Sequence, residues 1–332
     1  MKAYVLEGIG RLVLKEIEIP SVPEGWVLVK VKASSICSSD IGRIFVRGTY
    51  HFPTIPGHEF SGIVNKIGEG VSKTWLGKKV GVFPLIPCKT CDECNKGNYA
   101  CCRKYDYIGS RRDGAFAEYV LVPEWNLVEL SDDANFDEYA LMEPLSVAIH
   151  SINLANIQNN DRVAIIGTGA IGFLCALASM EKTEHVDIIG KTDKKKRIAE
   201  HFGVNLVLNP DHEYDVVIEA VGDEKTIHQS ISLVRPGGTI VLMGNPNGDI
   251  SLPIDCYWQI LRKEIKIRGS WNSVFNHTHY SDWYQAKQFL ERDSEKIRML
   301  ITHHYNSDQL MKGLMLMKER NEPYCRVVIR WE

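Results

Sequence analysis

The chain has 332 residues, 44% of them hydrophobic, which predicts about two domains with an ample core. Its net charge of −3 and the lack of a basic, aromatic-rich face argue against a nucleic-acid partner and against attraction to a membrane surface. An uneven count of nine cysteines and an N-terminus without a signal-peptide pattern argue against disulfides, so we expect a reduced, cytoplasmic protein.

The first part of the chain, up to about residue 145, has the pattern of short strands separated by turns. Trp26–Val31 alternates as a half-buried strand does, and Phe60–Ile67 and Gly81–Leu85 are further strand candidates. Glycines punctuate the segments between them. This part is therefore predicted to be an all-β region with loops.

A tight cluster of cysteines follows the spacing C-x2-C-x2-C-x7-C: Cys88, Cys91, Cys94 and Cys102. Four thiolates at about 2.3 Å from one zinc ion form a closed structural site, without a position for water. The alternatives are a disulfide pair or a chance cluster, and the x7 spacing alone selects Cys102 over the adjacent Cys101. The loop predicts a structural zinc ion.

From about Glu143 the pattern changes to strands that alternate with helices, which predicts a parallel, doubly wound sheet. After about residue 275 the pattern is helical and then ends in a strand. One apolar run of eighteen residues, Val163–Met180, has the length of a membrane span, but its glycines argue against one. The predicted helices are Leu145–Ala155, one from Ala170 onward, Lys194–Phe202 and Lys225–Val234. The predicted strands are Asp161–Ile166, Val186–Ile189, Val216–Ile218, Thr239–Met243, after a turn at Arg235–Gly238, and Cys325–Arg330.

A glycine-rich motif follows the Asp161–Ile166 strand and opens the next helix: Gly167, Thr168, Gly169, Ala170, Ile171 and Gly172. The first glycine permits a tight turn, the second lets a pyrophosphate approach the backbone, and the third lets the helix pack on the strand. The alternative is a glycine-rich turn without a ligand. The strand and helix on either side favour a nicotinamide dinucleotide site.

The end of the next strand holds Gly190, Lys191 and Thr192 where an acid ordinarily bonds the adenosine ribose. With no acid there, Lys191 could pair with a 2′-phosphate. The basic run at 194–197 is either part of that site or a solvated helix face. The pattern favours NADP, or use of both cofactors, over strict use of NAD.

A second metal site is predicted from residues that are far apart in the chain: Cys37, His58, Glu59 and Glu143. A thiolate, an imidazole and a carboxylate leave one position of a tetrahedral zinc ion open, as a catalytic site requires. Each residue alone also has an ordinary structural interpretation. Their occurrence beside a dinucleotide motif and a cysteine loop favours the metal site.

Together these features resemble those of the zinc-dependent medium-chain alcohol dehydrogenases, in their polyol dehydrogenase branch. The resemblance implies an α/β protein with a GroES-like β-rich catalytic domain, residues 1–146 and 276–332 with the zinc loop 88–102, and a Rossmann nucleotide-binding domain, residues 147–275. The motifs that carry it are Gly57-His58-Glu59, the cysteine loop, Asp113–Tyr119, Glu143-Pro144 and Gly167–Gly172.

The resemblance also implies roles at the catalytic zinc, which would polarise the substrate hydroxyl. Cys37, His58 and Glu143 would hold it, and Glu59 would be a supporting group or an exchangeable ligand; the sequence does not decide between Glu59 and Glu143. Asp40 would fix the tautomer of His58, and Ser39 would pass the hydroxyl proton away. Many alcohol dehydrogenases continue this relay with a histidine where this chain has Gly42, so the proton needs another route.

The implied substrate is a sugar alcohol phosphate of the galactitol-1-phosphate type, oxidised to a ketose phosphate; an unphosphorylated sorbitol- or xylitol-type polyol is the alternative. A protein that binds zinc and nucleotide without catalysis is the alternative of another class. The family implies a dimer or tetramer.

The candidate phosphate anchors are Arg43, Arg111 and Arg112, and Trp271 and Asn272 are candidates for the substrate pocket. The segments behind the narrower substrate assignment are Ile36–Ile41, His58–Gly62, Tyr105–Gly114, Ile260–Glu264 and Gly269–Trp271.

Overall fold

A computed structural model describes residues 1–246 and 248–332. They form two compact units, Met1–Glu143 with Val274–Glu332, and Pro144–Ser273. The domain boundaries predicted from the sequence, after residue 146 and before residue 276, lie two or three residues further along the chain than the boundaries of these units. The strands are β1 (Lys2–Gly8), β2 (Arg11–Glu16), β3 (Trp26–Ser35), β4 (Glu59–Ile67), β5 (Lys79–Val82), β6 (Leu85–Ile86), β7 (Asp106–Tyr107), β8 (Tyr119–Pro123), β9 (Leu127–Glu129), β10 (Val163–Ile166), β11 (Val186–Ile189), β12 (Asn205–Val207), β13 (Tyr214–Glu219), β14 (Val234–Leu242), β15 (Lys266–Gly269), β16 (Ile301–Asn306) and β17 (Arg326–Arg330). The helices are α1 (Ser38–Gly42), α2 (Asp92–Asn95), α3 (Phe136–Tyr139), α4 (Met142–Ala155), α5 (Ala170–Met180), α6 (Lys196–Phe202), α7 (Glu224–Leu233), α8 (Ile254–Arg262), α9 (Asp282–Leu300) and α10 (Leu310–Glu319).

The first unit is built on a seven-stranded sheet in the order β16-β17-β3-β4-β5-β9, with β8 also paired to β3. In the antiparallel pairs, Ser35 at the end of β3 lies opposite Glu59 at the start of β4 and Val328 of β17. The end of β3 therefore brings the segment that follows it, the start of β4 and the start of β17 to one end of the sheet. Apolar side chains such as Val29, Val31 and Phe60 are buried beneath it.

The predicted strand Gly81–Leu85 is wrong, because the chain forms two strands there. β5 pairs with β4 and β9, whereas β6 pairs with β7 in a separate two-stranded sheet. Pro84 lies at the break, and its lack of an N–H donor prevents a continuous ladder. The β1–β2 hairpin and strand β16 were not predicted.

The second unit is a parallel six-stranded sheet in the order β12-β11-β10-β13-β14-β15, which confirms the predicted alternation of strands and helices. The predicted turn Arg235–Gly238 is instead part of β14, where the register with β13 shifts and Gly237 has a φ of 73°. Helix α6 begins at Lys196, not Lys194, because a 3₁₀ turn precedes it. Strands β12 and β15 and helix α8 were not predicted.

The apolar run Val163–Met180 divides into β10, the glycine-rich turn and α5. Within the described part of the chain, no helix is both long and apolar enough to cross a membrane.

The glycine-rich turn joins β10 to α5 through a very close backbone contact. A Cβ atom added to Gly172 would lie 1.8 Å from the Gly167 carbonyl oxygen, whereas one added to Gly169 would meet nothing within 4 Å. Gly169 is the N-cap of α5 and has an ordinary φ of −79°. The third glycine is therefore required by packing, while the second leaves open space at the helix N-terminus.

We expect Gly172→Ala to lower the free energy of unfolding by about 3 kcal/mol, because the new methyl group collides with backbone that cannot move aside. Gly169→Ala is the matched control and should unfold within about 1 kcal/mol of the parent chain. Urea denaturation followed by circular dichroism measures both. Equal stabilities of the two variants would contradict this packing role.

Candidate metal centres and dinucleotide site

Cys37 and Asp40 form a reciprocal cap where β3 runs into α1. The Asp40 carboxylate accepts a hydrogen bond of 3.0 Å from the Cys37 backbone N–H, and the Cys37 sulfur accepts one from the Ser39 backbone N–H. Asp40 is fully buried. This cap fixes the direction of the Cys37 side chain before any metal binds.

His58 is buried and directs Nδ1 toward the same carboxylate. Nδ1 lies 3.3 Å from Asp40 Oδ1, and Arg43 Nη1 lies 3.4 Å from that nitrogen. An ionised carboxylate can only accept, so we assign the Nδ1 proton to the bond with Asp40, and in the neutral ring this leaves the lone pair on Nε2. Burial opposes a charge on the ring, but Asp40 outweighs it and raises the pKa of His58 well above its usual value. The same carboxylate would stabilise a cation bound at Nε2.

Glu59 is fully buried, and within the described residues neither of its carboxylate oxygens has a hydrogen-bond partner. Arg326 Nη1 lies 3.2 Å from Oε2 as an ion pair, but its hydrogen bond of 3.0 Å goes to the Ile36 carbonyl. Burial would lower the pKa of Arg326, and the Glu59 charge more than offsets this and raises it. A buried carboxylate with unused lone pairs fits a metal ligand.

One donor group contains Cys37, His58 and Glu59, whose ligand atoms all lie within 4.8 Å of one another. Glu143 is not a member of that group among the described residues. It is buried nearby, and its Oε1 accepts a hydrogen bond of 3.3 Å from the Tyr107 hydroxyl. Burial raises the pKa of Glu143 to about 7. The donor group thus includes Glu59, one of the two glutamates that the sequence left open.

Ser39 and Arg43 extend the site away from the donor group. The Ser39 hydroxyl lies 3.2 Å from the Cys37 sulfur, and it accepts a hydrogen bond of 2.8 Å from Arg43 Nη1. Arg43 opens a short π-helix, Arg43–Arg47, and its side chain is 24% exposed. The guanidinium therefore connects a half-buried hydroxyl with solvent.

The second donor group is the cysteine cluster predicted from its spacing: Cys88, Cys91, Cys94 and Cys102. The sulfur of Cys94 lies 3.9 Å from that of Cys88 and 3.6 Å from that of Cys91, while Cys91 and Cys102 are 4.0 Å apart. A tetrahedron with metal–sulfur bonds of about 2.3 Å has sulfur–sulfur edges of about 3.8 Å. The cluster therefore fits a four-thiolate metal site.

The environments of these thiols differ. Hydrogen bonds from Thr90 lower the pKa of Cys88 to about 5, whereas burial raises the pKa of Cys94 to about 12. Four thiolates this close together need a positive charge among them. Cys101 is exposed and lies outside the group.

Protein partners surround the arginines predicted to bind phosphate. The Arg111 guanidinium stacks 4.2 Å from the ring centres of Tyr50 and Tyr105, and donates to the Tyr50 hydroxyl and the Tyr105 carbonyl. Arg112 pairs with Asp106. Arg43 bonds Ser39 and Asp40, as described above. None of these three guanidiniums lacks a protein contact.

Trp271 and Asn272 belong to the unit Pro144–Ser273. Trp271 is 52% exposed. Asn272 has a left-handed φ of 54°, and its Nδ2 is buried without a hydrogen-bond partner among the described residues. A conformation and a donor of this kind suit a residue that contacts a ligand.

The predicted ribose position lies directly beside the glycine-rich turn. The Gly167 N–H donates 3.1 Å to the Ile189 carbonyl at the end of β11, and Gly190 follows at once. A Cβ atom added to Gly190 would lie 2.8 Å from the Thr168 side chain. Lys191 and Thr192 are exposed at the carboxyl edge of the sheet, where open α/β sheets bind ligands.

The sequence analysis missed Arg326 and Tyr107. Arg326 is a lone charge at the start of an apolar strand, which is a weak signal of a buried ion pair. Tyr107 lies inside a segment that supported the resemblance but received no role. Each touches a buried glutamate of the metal centre.

Two protein-family models match the sequence of this chain. Residues 23–132 match the alcohol dehydrogenase GroES-like domain, and residues 170–292 match the zinc-binding dehydrogenase domain. The chain is 34% identical to galactitol 1-phosphate 5-dehydrogenase of Escherichia coli K12, over 91% of this chain and 92% of that one. The chain belongs to the zinc-binding alcohol dehydrogenase family.

Other relatives of this dehydrogenase act on different substrates. It is 31% identical to D-xylulose reductase A of Aspergillus oryzae, over 81% of each chain. It is also 31% identical to L-threonine 3-dehydrogenase of Caldanaerobacter subterraneus, over 96% of this chain and 94% of that one. The family thus settles the reaction class but not the substrate.

Solved structures agree with the family assignment. The crystal structure of galactitol-1-phosphate dehydrogenase from Escherichia coli matches with a TM-score of 0.90 at 31% identity, over 99% of this chain and 100% of that one. A zinc-binding dehydrogenase from Sinorhizobium meliloti 1021 bound to NADP matches with a TM-score of 0.88 at 28% identity, over 99% of this chain and 98% of that one. An alcohol dehydrogenase from Escherichia coli CFT073 with NADH matches with 0.89 at 26% identity, over 99% of each chain.

These comparisons confirm the predicted family and fold class: a medium-chain dehydrogenase fold with a GroES-like domain and a parallel-sheet Rossmann domain. They also confirm that the protein is a zinc-binding dehydrogenase. The prediction of a zinc and nucleotide-binding protein without catalysis is therefore not favoured.

We expect the purified protein to contain two zinc ions per chain, one for each donor group. Cys37→Ser should lower the zinc content to about one without unfolding the chain, because the closed cysteine site survives. Cys102→Ser should also lose one zinc, whereas Cys101→Ser, its exposed neighbour, should lose none. Plasma mass spectrometry measures the content. Two zinc ions in Cys37→Ser would contradict the assignment.

We expect Arg326→Met to destabilise the metal-free protein by about 3–5 kcal/mol, because Glu59 is left as an unpaired buried charge. Zinc should reduce this loss, since the metal then supplies the missing cation. Arg330→Met, on the same strand but 56% exposed, is the matched control and should cost about 0–1 kcal/mol. Urea unfolding with and without a chelator measures these changes in the free energy of unfolding. Equal losses of stability in Arg326→Met and Arg330→Met would contradict the ion pair between Arg326 and Glu59.

Proposed function

We propose that the protein transfers a hydride between a nicotinamide dinucleotide and a secondary alcohol of a sugar alcohol phosphate of the galactitol-1-phosphate type, giving a ketose phosphate. One observation carries the proposal: the group formed by Cys37, His58 and Glu59, which Asp40 and Arg326 hold before metal binds. The 34% identity to a galactitol 1-phosphate dehydrogenase supports the substrate class.

When bound, zinc supplies Lewis-acid polarisation of the substrate hydroxyl, and the nicotinamide supplies hydride transfer. Cys37, His58 and Glu59 would hold the metal, with Glu143 as the alternative to Glu59. Asp40 keeps Nε2 of His58 available by accepting a hydrogen bond from the Nδ1–H. The Ser39 hydroxyl accepts a hydrogen bond from Arg43 Nη1 and donates one toward the Cys37 sulfur, so it can pass on a proton by taking one from the substrate oxygen as it releases its own.

The proton route then differs from a histidine relay. Arg43 cannot carry a proton, because its guanidinium stays protonated at all relevant pH values. Its partial exposure brings water to the outer side of Ser39, so water can accept the proton there. This route is consistent with Gly42 standing where other family members have a histidine.

The phosphate anchor is proposed among the outer arginines. In a 1-phosphate that is oxidised at carbon 5, about four carbon–carbon bonds, or roughly 5 Å, separate the reacting carbon from the phosphate-bearing one. Arg43 contacts Ser39 and Asp40 beside the donor group, which leaves Arg111 and Arg112 as the better candidates. Arg111 is the stronger one, because stacking between two tyrosines holds its planar guanidinium in place.

An unphosphorylated polyol is the second candidate substrate. It is favoured by the protein partners of Arg43, Arg111 and Arg112, and by the identity with a D-xylulose reductase. Trp271 and Asn272 are proposed to contact either substrate. A homo-oligomer and a cytoplasmic location remain predictions; exposed apolar side chains on α8, including Ile254 and Trp258, suit contact with a second copy.

We expect galactitol-1-phosphate to be oxidised with a kcat/KM at least about 10-fold above those of sorbitol, xylitol and L-threonine, because a charge-assisted anchor contributes about 1.5–3 kcal/mol. Arg111→Met should raise KM for the phosphate about 10-fold and leave KM for sorbitol unchanged. Absorbance of the reduced nicotinamide measures both. Faster turnover of an unphosphorylated polyol would refute the phosphate assignment and favour the second candidate.

We propose that Lys191 pairs with the 2′-phosphate of NADP, so that the enzyme uses NADP or both cofactors. Lys191→Ala should then raise KM for NADP about 10-fold and leave KM for NAD within about 2-fold. Lys194→Ala, an exposed lysine of the following turn, is the matched control and should change neither. A strict preference for NAD in the parent enzyme would overturn this proposal.

A further inference from the structure

Tyr107 lies between two functional groups of the metal centre. Its ring centre lies 5.8 Å from that of His58, and its hydroxyl lies 3.3 Å from Glu143 Oε1. The side chain is buried, with 7% of its surface exposed. The mechanism proposed above gives it no task.

A phenylalanine would fill the same space without burying a hydroxyl. Burying a hydroxyl costs free energy unless it finds a hydrogen-bond partner, and Glu143 is the partner of this one. A carboxylate can only accept, so the Tyr107 hydroxyl is the donor of this bond. It is therefore a donor directed at one carboxylate oxygen.

The backbone holds this donor firmly. Tyr107 pairs with Leu85 across the two-stranded β6–β7 sheet, and Ile86 of that sheet leads into the cysteine loop at Cys88. The loop that carries the second donor group thus begins and ends beside the strand of Tyr107. A hydroxyl fixed in this way can direct a neighbouring carboxylate.

Two buried glutamates lie at this centre, and only one of them belongs to the donor group. Glu59 lies with Cys37 and His58, whereas Glu143 is bonded to the Tyr107 hydroxyl and lies outside. We propose that Tyr107 is a positioning residue that holds Glu143 beside the donor group and so leaves the third metal position to Glu59. The proposal rests on the metal centre of the proposed function.

The test uses the full chain loaded with Co²⁺, whose visible absorption reports the ligands. The spectrum of cobalt-loaded Cys37→Ser, which retains only the cysteine site, is subtracted. Tyr107→Phe should shift the difference spectrum and change Co²⁺ affinity about 10-fold, the effect expected when a supporting hydrogen bond to a metal site is lost. Glu143→Gln in the parent should leave the spectrum in place, and Glu59→Gln should alter it.

The double variant Tyr107→Phe/Glu143→Gln tests whether the Glu143 carboxylate causes the spectral shift of Tyr107→Phe. It should restore the parent spectrum, because a carboxamide binds the metal much less well than the released carboxylate. Identical spectra of the parent and Tyr107→Phe would overturn the proposal, and so would a shift that persists in the double variant. If Tyr107→Phe does not fold, Tyr107→Met, which also removes the hydroxyl and leaves the Glu143 side chain at its full length, should give the same shift.

The outcomes separate this proposal from the proposed function. Absence of polyol oxidation by the parent enzyme would refute the function while the cobalt spectra still decide on Tyr107. Conversely, full activity together with an unshifted Tyr107→Phe spectrum would refute the positioning role alone.

Discussion

One buried carboxylate, that of Asp40, organises the candidate metal centre. It accepts the backbone N–H of Cys37, pairs with Nδ1 of His58 and meets the guanidinium of Arg43. Two candidate metal donors that lie far apart in sequence, Cys37 and His58, are thereby fixed beside one carboxylate. Burying the Asp40 charge costs free energy, and the surrounding hydrogen bonds and cations offset this cost when the chain folds. The rest of the site depends on that satisfied charge.

The balance of buried charge supports the proposed metal centre. Asp40, Glu59 and Glu143 bring buried carboxylates to the half-buried Cys37 thiol, and Arg43 and Arg326 bring guanidiniums. Asp40 has partners for its oxygens, whereas Glu59 keeps lone pairs unused among the described residues. A divalent cation bound by a thiolate and a carboxylate would restore the balance. In the cysteine loop, four sulfurs already span the edges of a metal tetrahedron, without an open position for substrate.

Patterns in the sequence predicted a feature correctly where the interactions that form it lie within a few residues of one another. The cysteine spacing and the glycine-rich turn each act within a few residues, so both were predicted. Arg326 was not, since its bond to the Ile36 carbonyl spans 290 residues and depends on how β17 pairs with β3. The choice between Glu59 and Glu143 also depends on tertiary contacts, namely Arg326 and the Tyr107 hydroxyl. Pro84, which divides one predicted strand into two, was a local signal that was overlooked.

The central claim is that Cys37, His58 and Glu59 hold the catalytic metal. Anomalous diffraction at the zinc absorption edge from crystals of the holoenzyme tests it most directly. The account predicts two peaks per chain, one within the cysteine cluster and one at about 2.0–2.3 Å from the Cys37 sulfur, His58 Nε2 and a Glu59 oxygen. A second peak bound by Glu143 in place of Glu59, or no peak near Cys37, would contradict it.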